Sequence, residues 1–282
     1  MGIVRELKIK EKTRPPLKWA GGKRWLVRYL LPIWTPHSSR RLVEPMCGGL
    51  AVTFGLKPRQ ALLNDINPHL INFYQQIKRG LKVDIPMVND KELYYKHRER
   101  FNQLIKENNW NTSEAAQLFY YLNHTGYNGL CRFNKSGLFN VPFGRYSKIN
   151  YLKNFQPLTQ IFTDWEFSCG DFSNVNISSD DFVYIDPPYD VEFRQYSAEG
   201  FSWEDQVRLA NWTASLNSPV IISNQATDRV VELYKSLRFD CKFIDGPRFI
   251  SCVGNKRGPV KEVLATMRVE KCHLEIQELG TF

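Results

Sequence analysis

The stretch Asp181-Phe182-Val183-Tyr184-Ile185-Asp186-Pro187-Pro188-Tyr189 constrains the fold of this chain more than any other. An apolar run rich in β-branched and aromatic residues, stopped by two prolines, reads as a buried strand that ends at Pro187. Asp186 precedes a proline, so its backbone is pushed out of the helical region, and neither proline has an N–H to give to a sheet. The carbonyls of Pro187 and Pro188 are expected to remain free acceptors. A carboxylate, a free carbonyl and the aromatic face of Tyr189 then meet at one sheet edge. Such a set suits a planar substrate bearing an amine, whose two hydrogens go to the carboxylate and the carbonyl while its ring stacks. The lone pair of a nucleobase amine is delocalised into the ring; accepting both hydrogens draws the nitrogen toward tetrahedral geometry, ready to attack an electrophilic methyl. A strand followed by an ordinary Pro-Pro turn is the plainer reading of the same residues.

An α/β rhythm surrounds this strand. Leu17 to Leu26 holds a Gly21-Gly22 turn opening a helix, whose first N–H groups, with Lys23 beside them, form a seat for a carboxylate or phosphate. A tight turn with a surface lysine is the alternative. Arg41 to Pro45 reads as a short strand, Met46 to Val52 as a Gly-rich turn into a helix, and Ala61 to Asp65 as a second strand. Asn67 caps the helix that follows, with Pro68 at its first position and Gly80 at its end. A strand, a Gly-rich turn, a helix and a second strand ending in an acid is the arrangement that binds the ribose of a nucleoside cofactor, and Asp65 is that acid. The G-x-G-x-x-G fingerprint is absent, which disfavours a nicotinamide. Trp165 to Cys169, Pro219 to Ser223, Cys241 to Ile244 and Val260 to Arg268 read as further strands, with helices starting at Ser202 and at Thr227 or Asp228. Strand ends of an open α/β sheet share one edge, which gathers the Gly48-Gly49 turn, Asp65, Asp171 and Asp186.

Residues 81–155 interrupt the rhythm and are expected to form an insertion in a catalytic domain made of 1–80 and 156–282. Helical patterns near 90–107 and 113–123 lead into His124 to Tyr146, rich in glycine, asparagine, aromatic and basic residues. No Asp or Glu occurs from Ala115 through Thr163, while Arg132, Lys135, Arg145, Lys148 and Lys153 all fall inside. That composition makes a surface for phosphates and stacked or wedged bases, with a satellite aromatic core as the alternative. A second basic loop, Gly246 to Gly258, is suited to clamping a phosphate backbone. The formal charge of +9 over 282 residues agrees with a polyanionic partner. Six scattered cysteines without a CxxC pair, and five histidines without ligand spacing, point to free thiols, a reducing compartment and no metal. No apolar run approaches the ~18 residues of a membrane span, so a cytoplasmic protein with no membrane partner is expected. A monomer is expected.

The blocks Leu17-Lys18-Trp19-Ala20-Gly21-Gly22-Lys23, Glu44-Pro45 with its Gly turn, Asn64-Asp65-Ile66-Asn67, Tyr127-Asn128-Gly129-Leu130-Cys131-Arg132, Phe139-Asn140-Val141-Pro142-Phe143-Gly144-Arg145-Tyr146 and Asp186-Pro187-Pro188-Tyr189, in this order, resemble the Dam-type DNA adenine-N6 methyltransferases. The resemblance implies a Rossmann-like, S-adenosylmethionine-dependent α/β sheet with helices on both faces, and a smaller, mainly helical target-recognition insertion. It implies S-adenosylmethionine held by Trp19, Lys23, Asp65 and Asp186, with Glu44, Gly48, Asp171 and Phe172 nearby. The Asp186-Pro187-Pro188-Tyr189 motif is then catalytic, with Asp186, Pro187 and Tyr189 holding a flipped adenine. Double-stranded DNA becomes the partner, contacted by Lys18, Tyr127, Asn128, Leu130, Arg132, Pro142 and Tyr146, with Arg145 added from the acid-free stretch, and GATC the expected target. Two features depart from the family: its Gly turn usually reads Glu-Pro-Phe-x-Gly-x-Gly, where this chain has Met46 for the Phe and Leu50 for the last Gly, and Asp190 to Tyr196 is short and charged beside the family's Ser/Thr-rich lid. Methylation of cytosine N4, or a Dam-like DNA-binding protein with weak or no turnover, are the alternatives.

Overall fold

The apolar runs of the sequence become strands of one sheet. The computed structural model describes residues 14–190, 201–246 and 261–270. The expected lid segment beyond Asp190 and the basic loop beyond Gly246 lie outside the described residues. By contact the chain divides into two compact units: the described residues of Gly21–Gln75 with Asp164–Phe282, and those of Met1–Ala20 with Gln76–Thr163.

The first unit carries the sheet. In chain order it contains α1 (Val27–Trp34, entered through a 3-10 turn at Arg24–Leu26), β1 (Leu42–Glu44), α2 (Ala51–Leu56), β2 (Ala61–Asp65), most of α3 (Pro68–Lys78), β3 (Trp165–Cys169), β4 (Phe182–Ile185), α7 (Trp203–Ser215), β5 (Val220–Gln225), α8 (Asp228–Ser236), β6 (Asp240–Asp245) and β7 (Lys261–Met267). The spatial order is β3-β2-β1-β4-β5-β7-β6. Neighbours are parallel from β3 across to β5, and β7 runs antiparallel to both β5 and β6. The order reverses between β1 and β4, the switch point at which open α/β sheets form their ligand crevice.

All four residues of β4 are buried, as a central parallel strand covered on both faces requires. Alternation along the strand separates its contacts. Val183 and Ile185 join a core with Leu209 and Ala210 of α7 and Val230 and Tyr234 of α8. Phe182, on the opposite face, meets Trp34 of α1 edge-on with ring centroids 5.2 Å apart. The strand start is fixed by Asp181, buried and bidentate to Arg41 at 2.9 Å through each oxygen. Helix starts follow their caps: Asn67 Oδ1 accepts from the N–H groups of His69 and Leu70, and Ser202 with Asp205 forms a reciprocal capping box ahead of α7.

The second unit contains α4 (Lys91–Lys106), α5 (Ser113–Thr125) and α6 (Gln156–Phe162). Asp90 and Thr112 cap α4 and α5 through their side-chain oxygens. The sequence reading has no counterpart of α6, whose only buried residues are Leu158 and Phe162; two anchors in seven residues give a weak period. Its start is set by Asn154 Oδ1 accepting from Gln156 N–H at 2.8 Å, with Pro157 in the first turn. Residues around Lys18 belong to this unit by contact.

The turn between β1 and α2 carries Leu50 where the resembled family has glycine. Leu50, at the N-cap of α2, has φ 60 and ψ 25, in the left-handed region, and is fully buried. A non-glycine residue there costs about 1–2 kcal/mol of backbone strain, which the buried leucine side chain offsets. Leu50→Gly relieves the strain but vacates a packed site worth about 2–5 kcal/mol. The net expectation is a lower denaturant midpoint for Leu50→Gly, and an unchanged or higher midpoint would show that the side chain contributes no packing.

Candidate active site

The switch point brings together the C-terminal ends of β1, β2, β3 and β4, hence Glu44, Asp65, Asp171 and Asp186. Asp65 organises the Gly turn: Gly48 N–H donates to its Oδ2 at 3.0 Å and Asn67 N–H to its Oδ1 at 2.9 Å. Gly48 itself has φ 47, and its carbonyl accepts from Tyr74 hydroxyl at 2.8 Å. Behind the turn, buried Asn64 donates to the carbonyls of Pro45 and Gly170, both at 2.9 Å, so the loops after β1 and β3 hang on one side chain. Burial raises the Asp65 pKa, with the N–H groups of Asn67 and Gly48 acting against it. Ile66, next along, is 70% exposed. An acid on glycine-rich backbone beside an open apolar side chain is a donor set that fits a nucleoside, the acid for ribose hydroxyls and the side chain for a base.

Glu44 is buried, and Thr53 hydroxyl donates to its Oε1 at 2.5 Å. Desolvation pushes its pKa up to about 8, with Asp186 adding to the rise and Thr53 opposing it. The side chain is therefore mostly protonated at neutral pH. Asp171 is engaged differently: Arg208 of α7 is bidentate to it at 2.8 and 2.9 Å, and Ser173 donates to its Oδ1 from both backbone and hydroxyl. The Arg208 hydrogen bonds hold that carboxyl well below the usual carboxylate range. Phe172 is buried in the core cluster, with the Arg208 guanidinium 4.1 Å from its ring centroid.

Asp186 follows β4 directly. Lys23 Nζ lies 3.0 Å from its Oδ1, and Ser223 hydroxyl, within β5, donates to the same oxygen at 3.1 Å. No described residue donates a hydrogen bond to Oδ2. Burial pushes the Asp186 pKa up to about 6, with Lys23 and Ser223 favouring the ionised form and Glu262 opposing it. Lys23 is buried, so the surface-lysine alternative is set aside, and the carboxylate it seats is the chain's own. Its Nζ also donates to Tyr189 hydroxyl at 2.5 Å and sits 4.3 Å from that ring's centroid. Tyr189 hydroxyl in turn donates to Glu262 Oε1. The ring is thus gripped through its hydroxyl, a feature absent from the sequence reading.

The expectation of two free proline carbonyls needs correction. Gln206 Nε2 of α7 donates to Pro188 carbonyl at 2.7 Å, and Gln206 is held by Asn224, which also meets Tyr234. Because Pro188 has no N–H of its own, this carbonyl is the handle by which α7 fixes the turn. Among the described residues no donor reaches the Pro187 carbonyl. Sequence reasoning missed Ser223, Gln206 and Glu262. Glu262 left one signal: it shares the inward phase of β7 with Leu264, where a charge is out of place.

In the other unit, the expected DNA-facing residues line a loop framed by backbone pairing. Gly126 bridges Phe143, Tyr127 N–H donates to Pro142 carbonyl at 2.8 Å, and Phe133 bridges Phe139. Tyr127, Asn128, Arg132, Pro142 and Arg145 are exposed, while Leu130 and Tyr146 are partly buried. Arg132 is aimed by Asn140, which accepts from Nε at 2.7 Å and, through its carbonyl, from Nη2 at 3.2 Å. Lys18 is less free: its Nζ donates to His124 carbonyl at 2.9 Å and lies 4.0 Å from the Tyr146 ring centroid. Gly129 has φ 62, and a Cβ there would meet Lys18 Cβ at 2.5 Å, so only glycine fits. Trp19 is partly buried in the same unit. Among the described residues there is no cluster that could hold a metal ion and no helix long and apolar enough to cross a membrane.

Comparison with known proteins adds the chemistry. Residues 19–246 match the family described as D12 class N6 adenine-specific DNA methyltransferase. The chain is 34% identical to the Type II methyltransferase M1.LlaDCHI of Lactococcus lactis subsp. cremoris, over 94% of this chain and 99% of that protein. It is 35% identical to the DNA adenine methylase of Escherichia coli strain K12, over 90% of this chain and 95% of that one, and 35% identical to the DNA adenine methylase of Vibrio cholerae serotype O1, over 90% and 96%.

The raised Glu44 pKa has a consequence for stability. Its folded value of about 8 lies above the ordinary 4.5, so the native state keeps the proton after the unfolded chain has lost it, and stability falls as pH rises through that interval. Glu44→Gln mimics the neutral form. The melting-temperature difference, variant minus wild type, should grow between about pH 5 and about pH 9; a constant difference would show that Glu44 is not held protonated.

Proposed function

Since the chain belongs to the D12 class of N6 adenine-specific DNA methyltransferases, we propose that it transfers the methyl group of S-adenosylmethionine to the N6 amine of an adenine flipped out of duplex GATC. Family membership implies both S-adenosylmethionine and a DNA substrate, and it leaves the cytosine-N4 alternative without support. The observation that carries the finer reading is the state of Asp186: one oxygen is occupied by Lys23 and Ser223, and the other takes no hydrogen bond from a described residue beside an unengaged Pro187 carbonyl.

When bound, S-adenosylmethionine supplies an electrophilic methyl on a sulfonium. Asp65 and the Gly48 turn are the residues suited to its nucleoside, while Lys23 and Asp186, which engage each other, would border its charged end. Asp186 Oδ2 and Pro187 carbonyl accept the two N6 hydrogens of the adenine, which turns the nitrogen lone pair outward. Tyr189 offers its ring to the base. An adenine paired in a duplex cannot present its amine this way, so flipping is part of the proposal. The intact Asp186-Pro187-Pro188-Tyr189 set favours turnover over a binding-only role. Because Asp186 must be ionised to accept, transfer is expected to fall off on the acid side near pH 6.

In the second unit, Tyr127, Asn128, Leu130, Pro142 and Tyr146 are proposed to meet the target bases, Lys18 and Arg145 the backbone, and Arg132 a base edge.

Labelled S-adenosylmethionine with GATC-containing and GATC-free duplexes tests the reading: label should appear as N6-methyladenine in the first alone. Asp186→Ala should lower transfer by about a hundredfold or more while DNA affinity stays near that of the wild type; normal turnover would remove Asp186 from the mechanism. Arg132→Ala should relax discrimination at one base pair by about 1–3 kcal/mol. An equal loss on every sequence would make Arg132 a phosphate contact instead.

A further inference from the structure

One buried carboxylate at this sheet edge is without a role in the reading above. Glu262, the second residue of β7, is 1% exposed and is followed by buried Val263, Leu264 and Ala265. Its register partners are Gln225 on β5 and Ile244 on β6. An aliphatic side chain is the ordinary occupant of such a position, since burying a carboxylate is strongly unfavourable unless it is paired. Here Oε1 accepts the Tyr189 hydroxyl and lies 3.7 Å from Lys23 Nζ, while Oε2 is buried with no hydrogen-bond partner among the described residues. Both polar contacts of the carboxylate therefore belong to the catalytic corner, and nothing in the sheet itself calls for a charge there.

We propose that Glu262 is a positioning residue for methyl transfer, holding the Tyr189 hydroxyl and the Lys23 ammonium from behind so that the stacking ring and Asp186 are set before the adenine arrives. The inference rests on the roles given above to Asp186 and Tyr189. Stacking alone asks only for a ring, which phenylalanine would supply; the hydroxyl is the part that Lys23 and Glu262 grip. A ring held at its far end loses less freedom on meeting a base, which is the advantage of preorganisation. The antiparallel course of β7 delivers the residue: its first residues lie at the edge where the parallel strands end, with Glu262 opposite Gln225.

Glu262 also acts on the charge of Asp186. The titratable groups facing Asp186 are Lys23 ahead of α1, Glu44 on β1, Tyr184 on β4, Tyr189 beyond it, Tyr234 on α8 and Glu262 on β7. Burial is the main reason that the Asp186 pKa is high, Lys23 acts against it, and Glu262 adds to it. Removing the Glu262 charge leaves Lys23 less opposed, so Asp186 ionises at lower pH.

The test is single-turnover methyl transfer by the full chain on a GATC duplex, from about pH 5 to about pH 9, for wild type, Glu262→Gln, Tyr189→Phe and the double variant. Glu262→Gln should be about tenfold slower at neutral pH, its acid limb should move to lower pH, and the double variant should be within about threefold of the slower single, since the two residues act through one contact. An acid limb unmoved from the wild type, or losses that multiply in the double variant, would overturn the proposal. Glu262→Gln itself guards against a folding artefact: it keeps the side chain's shape and an oxygen facing the Tyr189 hydroxyl, so its melting temperature should stay near that of the wild type while transfer falls, and a large drop would make Glu262 a structural residue instead. Asp186→Asn separates the two levels. If that variant methylates normally, the catalytic reading itself fails; if it is inactive while Glu262→Gln behaves as wild type, only the present inference does.

Discussion

A carboxylate placed at the end of a central, doubly covered strand stays ionised only if something pairs with it, and the Lys23 ammonium, 3.0 Å from Asp186, is that partner. Much of the corner depends on this pair. The Gly21-Gly22 turn, with φ 77 at Gly21, leads into the 3-10 turn beside which Lys23 points inward. Ser223 reinforces the same oxygen from β5 and is itself tied to Tyr184 hydroxyl at 2.7 Å. Tyr189 and Glu262 extend the chain of contacts on the far side of the ammonium. With one oxygen engaged, the other is the one proposed to take the incoming amine, and the two prolines stiffen the backbone beside it.

The parallel part of this arrangement was legible in the sequence because each strand is an apolar run bounded by turn residues. Ala61 to Asp65, Trp165 to Cys169 and the Asp181 to Pro187 run all fall where the pattern places them, and so do the helices capped by Asn67 and Ser202 and the one that starts at Asp228. The acids at the strand ends were readable for the same reason, since a strand end in such a sheet is also a site edge. What could not be read was lateral. Gln206 holds the Pro188 carbonyl from a helix eighteen residues on, and Glu262 reaches Tyr189 across seventy-three; no local period encodes either contact. The helix Gln156–Phe162 escaped because two buried anchors do not make a recognisable stripe.

The two departures in the Gly turn have different weights. Leu50 takes the left-handed conformation that the family assigns to glycine, and the fold accommodates it by burying the side chain completely. Gly48 retains its positive φ and its bond to Asp65. The turn therefore keeps a left-handed residue at both Gly48 and Leu50, although the residue closing it is not glycine. In the helical unit, the aiming of Arg132 by Asn140 and the clamp of Asn123 on the Lys18 backbone follow one principle, with amide side chains fixing the placement of basic residues.

The proposed geometry is open to a structure of the protein with a non-transferring analogue of S-adenosylmethionine and a GATC duplex. An extrahelical adenine is expected there, its N6 within about 3.2 Å of both Asp186 Oδ2 and the Pro187 carbonyl oxygen and its lone pair directed at the position of the methyl. An adenine that remains stacked, or one whose amine is bound by other residues while Asp186 keeps only Lys23 and Ser223, would rule that geometry out.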